Sequence, residues 1–151
     1  PYRRQRQMCI RDRALAEIRQ RGIEAITEEE KADEDSKIGD AFTIAEFVMG
    51  VNETTEADLP ETVLAWDLVR AVNMARWAFI CGYINEDEMW EAIRTTAGIA
   101  KESFSSWEEY GNSFAVGRGI WRGETDDYET ADEVVGALLN KEDSPWKAIE
   151  W

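Results

Sequence analysis

The sequence contains no histidine and only two cysteines, Cys9 and Cys81, among its 151 residues. Without histidine, neither a Ser-His-Asp nor a Cys-His nucleophile can form, and imidazole cannot hold zinc. Two cysteines are too few for a disulfide framework or a thiolate zinc site, and they favour a reducing, cytoplasmic setting. We therefore predict no catalytic residue, no metal and no cofactor, which favours a protein that is not an enzyme.

Basic residues are also scarce, because 17 Lys and Arg stand against 32 Asp and Glu and give a net charge of −15. Residues 1–13 hold five arginines and one aspartate, a charge of +4, so the remaining 138 residues carry −19. A phosphate backbone needs a basic surface, and we expect neither nucleic acid nor an anionic membrane as a partner. Two interpretations of the acidity stay open: solubility in a salty cytoplasm, or attraction of a basic protein partner.

Long apolar runs are missing as well. No segment is apolar enough to span a membrane, and no apolar stretch typical of a secretory signal follows the N-terminal arginines. Strand-like alternation, a glycine-rich phosphate loop and internal repeats are likewise missing from the pattern. Seven Trp, five Phe and four Tyr can supply a core. Their helical spacing predicts an all-α, single compact domain of about five to six helices.

The first 13 residues differ in composition from everything that follows. The string QMCIRDR within them resembles a translated sequencing adaptor, of the kind found at the ends of metagenomic gene fragments. We therefore expect residues 1–13 to be a non-native extension and residues 14–151 to form the helical domain. The native N-terminus would then be truncated.

The most apolar stretch covers residues 61–82 and predicts a central buried helix around which the others pack. Asp58, Pro60 and Gly82 provide start and stop signals for it. Asp67, Arg70 and Asn73 follow one another at i, i+3 and i+6 and form one polar strip, in which Asp67 can pair with Arg70. Either this is an internal ion pair that fixes how helices dock, or it is a polar pocket for a ligand.

Helix starts are marked elsewhere along the chain. The acidic cluster that begins at Asn85 could hold a hard cation, but Asn85 with Glu88 is better explained as a capping box. Ser105 with Glu108 and Thr130 with Glu133 have the same pattern. Pro145 suits the first turn of a closing helix.

Two further expectations concern packing. Gly111, Gly117 and Gly119 fall in one predicted helix, where each costs about 1 kcal/mol relative to alanine. They indicate close approach of a neighbour such as the central helix. The terminal tryptophans Trp146 and Trp151 should fold back onto the bundle, because a free tail would leave large apolar surface in water.

Three blocks resemble a known family: WDLVRAVNMARWAFICGYINEDEMW (66–90), SSWEEYGNSFAVGRGIWRG (105–123) and SPWKAIEW (144–151). In this order they resemble the bacterial domain of unknown function family 1266, the YbeU-like proteins. The resemblance covers roughly the C-terminal 90 residues and implies a cytoplasmic bacterial helical domain without an established activity. The positions that match the family pattern are Asp67, Arg70, Gly82, Tyr83, Ser106, Trp107, Gly117, Arg118, Trp121, Ser144, Pro145, Trp146 and Trp151.

The family pattern gives weight to a group of arginines among tryptophans, which could bind an anionic or planar ligand. The candidate ligand-binding residues are Asp67, Arg70, Asn73, Trp77, Trp107, Arg118 and Trp121. The function that the sequence favours is nevertheless a non-catalytic protein-interaction module with an acidic surface and a basic partner. The alternative is an enzyme or small-ligand binder that uses a Trp-lined pocket of Asp67, Arg70 and Arg118.

Overall fold

A computed structural model describes residues 9–151, and every regular element in that range is helical. Eight α-helices follow one another: α1 (Ile10–Arg21), α2 (Glu28–Ala32), α3 (Ile38–Asn52), α4 (Leu64–Ile80), α5 (Glu86–Ser103), α6 (Trp107–Arg122), α7 (Thr125–Asn140) and α8 (Pro145–Ala148). Two 3-10 turns, Ile23–Ala25 and Glu56–Asp58, lie in the connections. The all-α class is confirmed. The expected five to six helices become eight because α2 and α8 are too short to show a helical period.

The central helix of the bundle is α6, which packs against α1, α3, α4 and α7. Its buried positions are mostly small: Gly111, Ser113, Ala115, Val116, Gly117, Gly119 and Ile120. The prediction of a central buried helix over 61–82 is therefore wrong. Helix α4 begins later and exposes the large side chains of its last two turns, including Trp77 and Ile80. The apolar composition of residues 61–82 predicted a helix correctly but its central position wrongly. Helix α6 is central because its small residues let more neighbouring helices approach closely.

Glycines set how closely α6 approaches its neighbours. A Cβ atom on Gly117 would lie 2.7 Å from Cβ of Trp66 on α4, closer than packed atoms allow. On Gly119, the same atom would lie 3.0 Å from Cδ1 of Ile44 on α3. The expected close approach is thus confirmed for α4 at Gly117, and other α6 glycines serve α3 and α7.

Helix α4 is capped by side chains from distant parts of the chain. The Asp12 carboxylate on α1 accepts hydrogen bonds from the backbone N–H of Val63 (2.7 Å) and the hydroxyl of Thr62 (2.9 Å). The buried Ser113 hydroxyl accepts from the N–H of Ala65 at 3.2 Å. The first N–H groups of a helix need such acceptors. Asp58 does not cap α4, because it closes a capping box with Thr55 one turn earlier.

The predicted start of α5 is confirmed, whereas the predicted starts of α6 and α7 differ from the structure. Asn85 and Glu88 form the expected capping box, and Gly82 adopts a φ of 77°, a value that favours glycine. The start of α6 lies one residue later than expected, because Ser106 is the cap. Helix α7 begins at Thr125 and not near Thr130, since Thr130 lies within the helix.

The N-terminal residues that the structure describes belong to the bundle. Helix α1 begins at Ile10, and both Arg11 and Asp12 bond to the start of α4 or to the residues before it. Part of the proposed extension, residues 1–8, lies outside the described residues. That residues 1–13 are non-native stays a prediction.

Replacing Gly117 with alanine should lower the free energy of unfolding by about 1–2 kcal/mol, because the strain of overpacking exceeds the gain in helix propensity. Gly136→Ala on α7 is the matched control, since a Cβ there meets nothing within 4 Å. That variant should be more stable by about 0.5–1 kcal/mol. Urea unfolding of both variants checks the pair, and equal stabilisation would contradict the close contact.

Candidate functional site

Two arginines and two tryptophans meet where α4 crosses α6. The rings of Trp66 and Trp121 lie 5.6 Å apart between centroids. The guanidinium carbon of Arg118 lies 5.1 and 5.3 Å from these two centroids, and that of Arg70 lies 5.7 and 5.6 Å from them. Arg118 also donates a hydrogen bond of 2.8 Å to Oδ1 of Asp127. We call these five residues the arginine–tryptophan cluster.

Helical spacing and the α4–α6 crossing explain the cluster. Trp66 and Arg70 are four residues apart on α4, and Arg118 and Trp121 are three apart on α6, so each pair lies on one helix face. The close approach at Gly117 brings the two faces together. Cations held over indole faces are attracted by the ring quadrupole, which stabilises the crossing.

The charge balance within the cluster is positive, although the chain is acidic. Asp127 is its single carboxylate, and besides Arg118 it has Arg122 close by, with Nε 3.7 Å from Oδ2. The Arg70 side chain forms no ion pair or hydrogen bond with any residue of the described range 9–151. The cluster therefore presents a guanidinium that no carboxylate of this part of the chain neutralises.

The structure brings only three of the seven predicted ligand-binding residues into this cluster: Arg70, Arg118 and Trp121. The expected Asp67–Arg70 pair is not formed, because Asp67 accepts from Arg11 of α1 at 3.2 Å. Asn73 accepts only a long hydrogen bond, 3.5 Å, from Arg76. Their ligand-binding role stays a prediction.

The remaining two predicted residues lie outside the arginine–tryptophan cluster. Trp77 lies on the exposed surface of α4, and Trp107 is the first residue of α6. Conversely, Asp127 belongs to the cluster without any sequence signal beyond its place in an acidic first turn. Its partner Arg118 lies nine residues earlier, on α6. The start of α7, which separates the two residues, was predicted at the wrong position.

Trp107 belongs to a second aromatic group at the start of α6. Its ring stacks on Trp146 at 4.8 Å and meets Trp151 edge-on at 4.7 Å. The indole N–H of Trp107 donates to the carbonyl of Ile149 at 2.8 Å, and that of Trp151 donates to the carbonyl of Phe104 at 2.9 Å. The expectation that the terminal tryptophans fold back onto the bundle is confirmed.

Large apolar side chains remain in water on the outer face of α4 and in the turn after it. Met74 and Trp77 are each 62% exposed, Ile80 is 74% exposed and Tyr83 is 84% exposed. We call these four residues the α4 surface. Within the described residues, no helix is both long and apolar enough to cross a bilayer.

The α4 surface borders an acidic helix start. Glu86, Asp87 and Glu88 form the first turn of α5, directly after the turn that carries Tyr83. All three are exposed. Their charges complement the positive end of the α5 macrodipole, and they place carboxylates beside the apolar surface.

Arg118→Ala should lower the free energy of unfolding by about 1–3 kcal/mol, because it leaves Asp127, only 15% exposed, without its hydrogen-bonded partner. Arg70→Ala should cost less than about 1 kcal/mol, since it removes only the cation–π contacts of an exposed arginine with Trp66 and Trp121. Urea unfolding of the two variants compares them. A larger loss for Arg70→Ala would contradict the pairing seen here.

The chain was compared with protein families, curated proteins and solved structures. Neither the curated proteins nor the solved structures gave a match. One family, described as "Protein of unknown function (DUF1266)", matches residues 5–151. The match includes residues 5–60, which the sequence resemblance had not covered. The chain belongs to the DUF1266 family.

Proposed function

We propose that the protein is a non-catalytic interaction module whose α4 surface binds a basic amphipathic helix of a protein partner. The observation that supports this is the exposure of Met74, Trp77, Ile80 and Tyr83 together at one end of α4. Single exposed apolar residues are ordinary on protein surfaces, but a contiguous group of large ones is typical of interaction sites.

The shape of the surface suits a helix. Met74, Trp77 and Ile80 follow one another at intervals of three residues, so they form one stripe along α4. At 1.5 Å per residue, the stripe from Met74 to Ile80 is about 9 Å long and can face about two turns of a docked helix. Such a helix would offer apolar side chains at i, i+3 or i+4 and i+7. Tryptophan and tyrosine are the side chains that most often anchor interfaces.

The charge of the protein selects the kind of helix. The exposed acidic turn of α5 lies beside the stripe, and the whole chain carries −15. A second copy of the chain would bring like charges together, whereas a basic segment would be attracted. The proposed partner segment therefore combines apolar residues with Lys or Arg.

A second candidate function is anion binding at the arginine–tryptophan cluster. What favours it is Arg70, whose guanidinium contacts Trp66 and Trp121 but no carboxylate of residues 9–151. The indole faces position the cation without neutralising it. A small oxyanion could therefore receive hydrogen bonds from Arg70, with Arg118 beside it.

The α4 surface can be tested with an amphipathic peptide of Leu and Lys. Titration should shift the indole N–H signal of Trp77 in the ¹H–¹⁵N spectrum and leave that of the buried Trp66 in place. Trp77→Ser should weaken binding about 30-fold, the loss expected for a central aromatic anchor. Rising salt should weaken it further.

Matched controls separate specific from general binding. Val51→Ser replaces an apolar residue of α3 that is equally exposed, at 60%, and should bind the peptide normally. A peptide of Leu and Glu should bind at least about tenfold more weakly, because its charge repels the acidic turn. Equal loss in both serine variants, or equal affinity for both peptides, would refute the proposal.

Anion binding is tested by titration with inorganic phosphate, followed at the indole signals of Trp66 and Trp121. Arg70→Gln should reduce the affinity about tenfold or more, the loss of one charge-assisted hydrogen bond. Arg76→Gln, an exposed arginine of the same helix, should leave the affinity unchanged. If the two variants lose affinity equally, the effect is general electrostatics and the second candidate falls.

A further inference from the structure

An open cavity of about 180 Å³ lies between α4, α5 and the aromatic group at the start of α6. Its walls are largely apolar: Val72 on α4, Ile93, Ala97 and Ala100 on α5, and the rings of Trp107 and Trp151. The indole rings of Trp107 and Trp151, which pack against each other, thus also face this space. The cavity is separate from both the α4 surface and the arginine–tryptophan cluster.

The size of the cavity limits what can fill it. An apolar cavity of about 150 Å³ binds benzene, whereas drug-sized ligands need about 300 Å³ or more. A volume of about 180 Å³ therefore suits one substituted ring. Aromatic walls favour a flat, aromatic occupant, because indole rings stack on it or meet its edge.

Three polar side chains also line the cavity: Lys101, Tyr110 and Thr96, whose hydroxyl donates to the carbonyl of Ala92. Lys101 lies with Nζ 5.0 Å from the centroid of the Trp151 ring, and it pairs with no carboxylate of the described part of the chain. The hydroxyl of Tyr110 makes no hydrogen bond within residues 9–151. Burial raises the pKa of Tyr110, so this hydroxyl stays protonated and can donate.

We propose that this cavity binds a small molecule with one aromatic ring and one carboxylate. The ring occupies the apolar space against Trp107 and Trp151, and the carboxylate meets the ammonium of Lys101, with the Tyr110 hydroxyl as a further donor. A neutral ring would fill the space but leave Lys101 without a counter-charge. A peptide segment is too large for the volume. This site does not depend on the proposed interaction with a basic helix.

Benzoate is the probe, with benzamide as its neutral counterpart of the same shape. Titration of the full chain should shift the indole N–H signals of Trp107 and Trp151 and reach saturation, and benzoate should bind about tenfold or more tightly than benzamide. Lys101→Met keeps the apolar stem and removes the charge. It should bring benzoate down to the affinity of benzamide and leave benzamide unchanged.

Three controls make the outcome decisive. Lys141→Met, a charge loss on another part of the surface, should leave benzoate binding unchanged. Ala97→Phe, at an exposed wall position, should fill the space and abolish binding of both probes, with the melting temperature showing that the variant is folded. Arg70→Gln should bind benzoate normally, which distinguishes this cavity from the arginine–tryptophan cluster.

Three results would overturn the inference. The first is an absence of saturation at millimolar benzoate. The second is equal benzoate affinity in Lys101→Met and the unchanged chain. The third is a shift confined to the indole signals of Trp66 and Trp121, which would place the anion at the other cluster.

Discussion

The structure depends on how closely other helices can approach α6. At Gly117 the backbone of α6 comes so near α4 that a single added methyl group would lie 2.7 Å from Cβ of Trp66. This contact places the tryptophan of α4 beside Arg118 and Trp121 of α6. It also brings the hydroxyl of Ser113 within reach of the first N–H groups of α4. The same crossing thus caps one helix, builds the arginine–tryptophan cluster and leaves the far end of α4 in solvent.

Features that depend on a few neighbouring residues could be predicted from the sequence, and features that join distant segments could not. The capping box of Asn85 and Glu88 lies within four residues, so it can be recognised in the sequence. Asp12 caps α4 across about 50 residues, and Arg11 takes the partner that helical spacing assigned to Arg70. An i, i+3 pair on an exposed helix contributes only a few tenths of a kcal/mol. A distant cation with better geometry can therefore take its place as the partner of the carboxylate.

The misjudged burial of α4 has the same origin and bears on function. Its second half is as apolar as a core helix, and a sequence pattern cannot distinguish apolar residues that face the core from those that face a partner. Because α6 and not α4 is the central helix, the apolar residues of the α4 surface lie mostly in solvent. Their exposure then becomes the main reason to propose an interaction module, whereas the polar strip from which a pocket was inferred is divided among different partners.

The two proposed anion sites share one physical device. Several cations of residues 9–151, among them Arg11 and Arg118, are neutralised by a nearby carboxylate. Arg70 and Lys101 instead lie over tryptophan rings, at 5.6 Å and 5.0 Å from the centroids of Trp121 and Trp151. A ring face holds a cation in place by its quadrupole and leaves the full positive charge available. Because the surrounding acidity repels anions in general, only a ligand that also offers a fitting ring or several acceptor oxygens would gain enough at such a cation to bind.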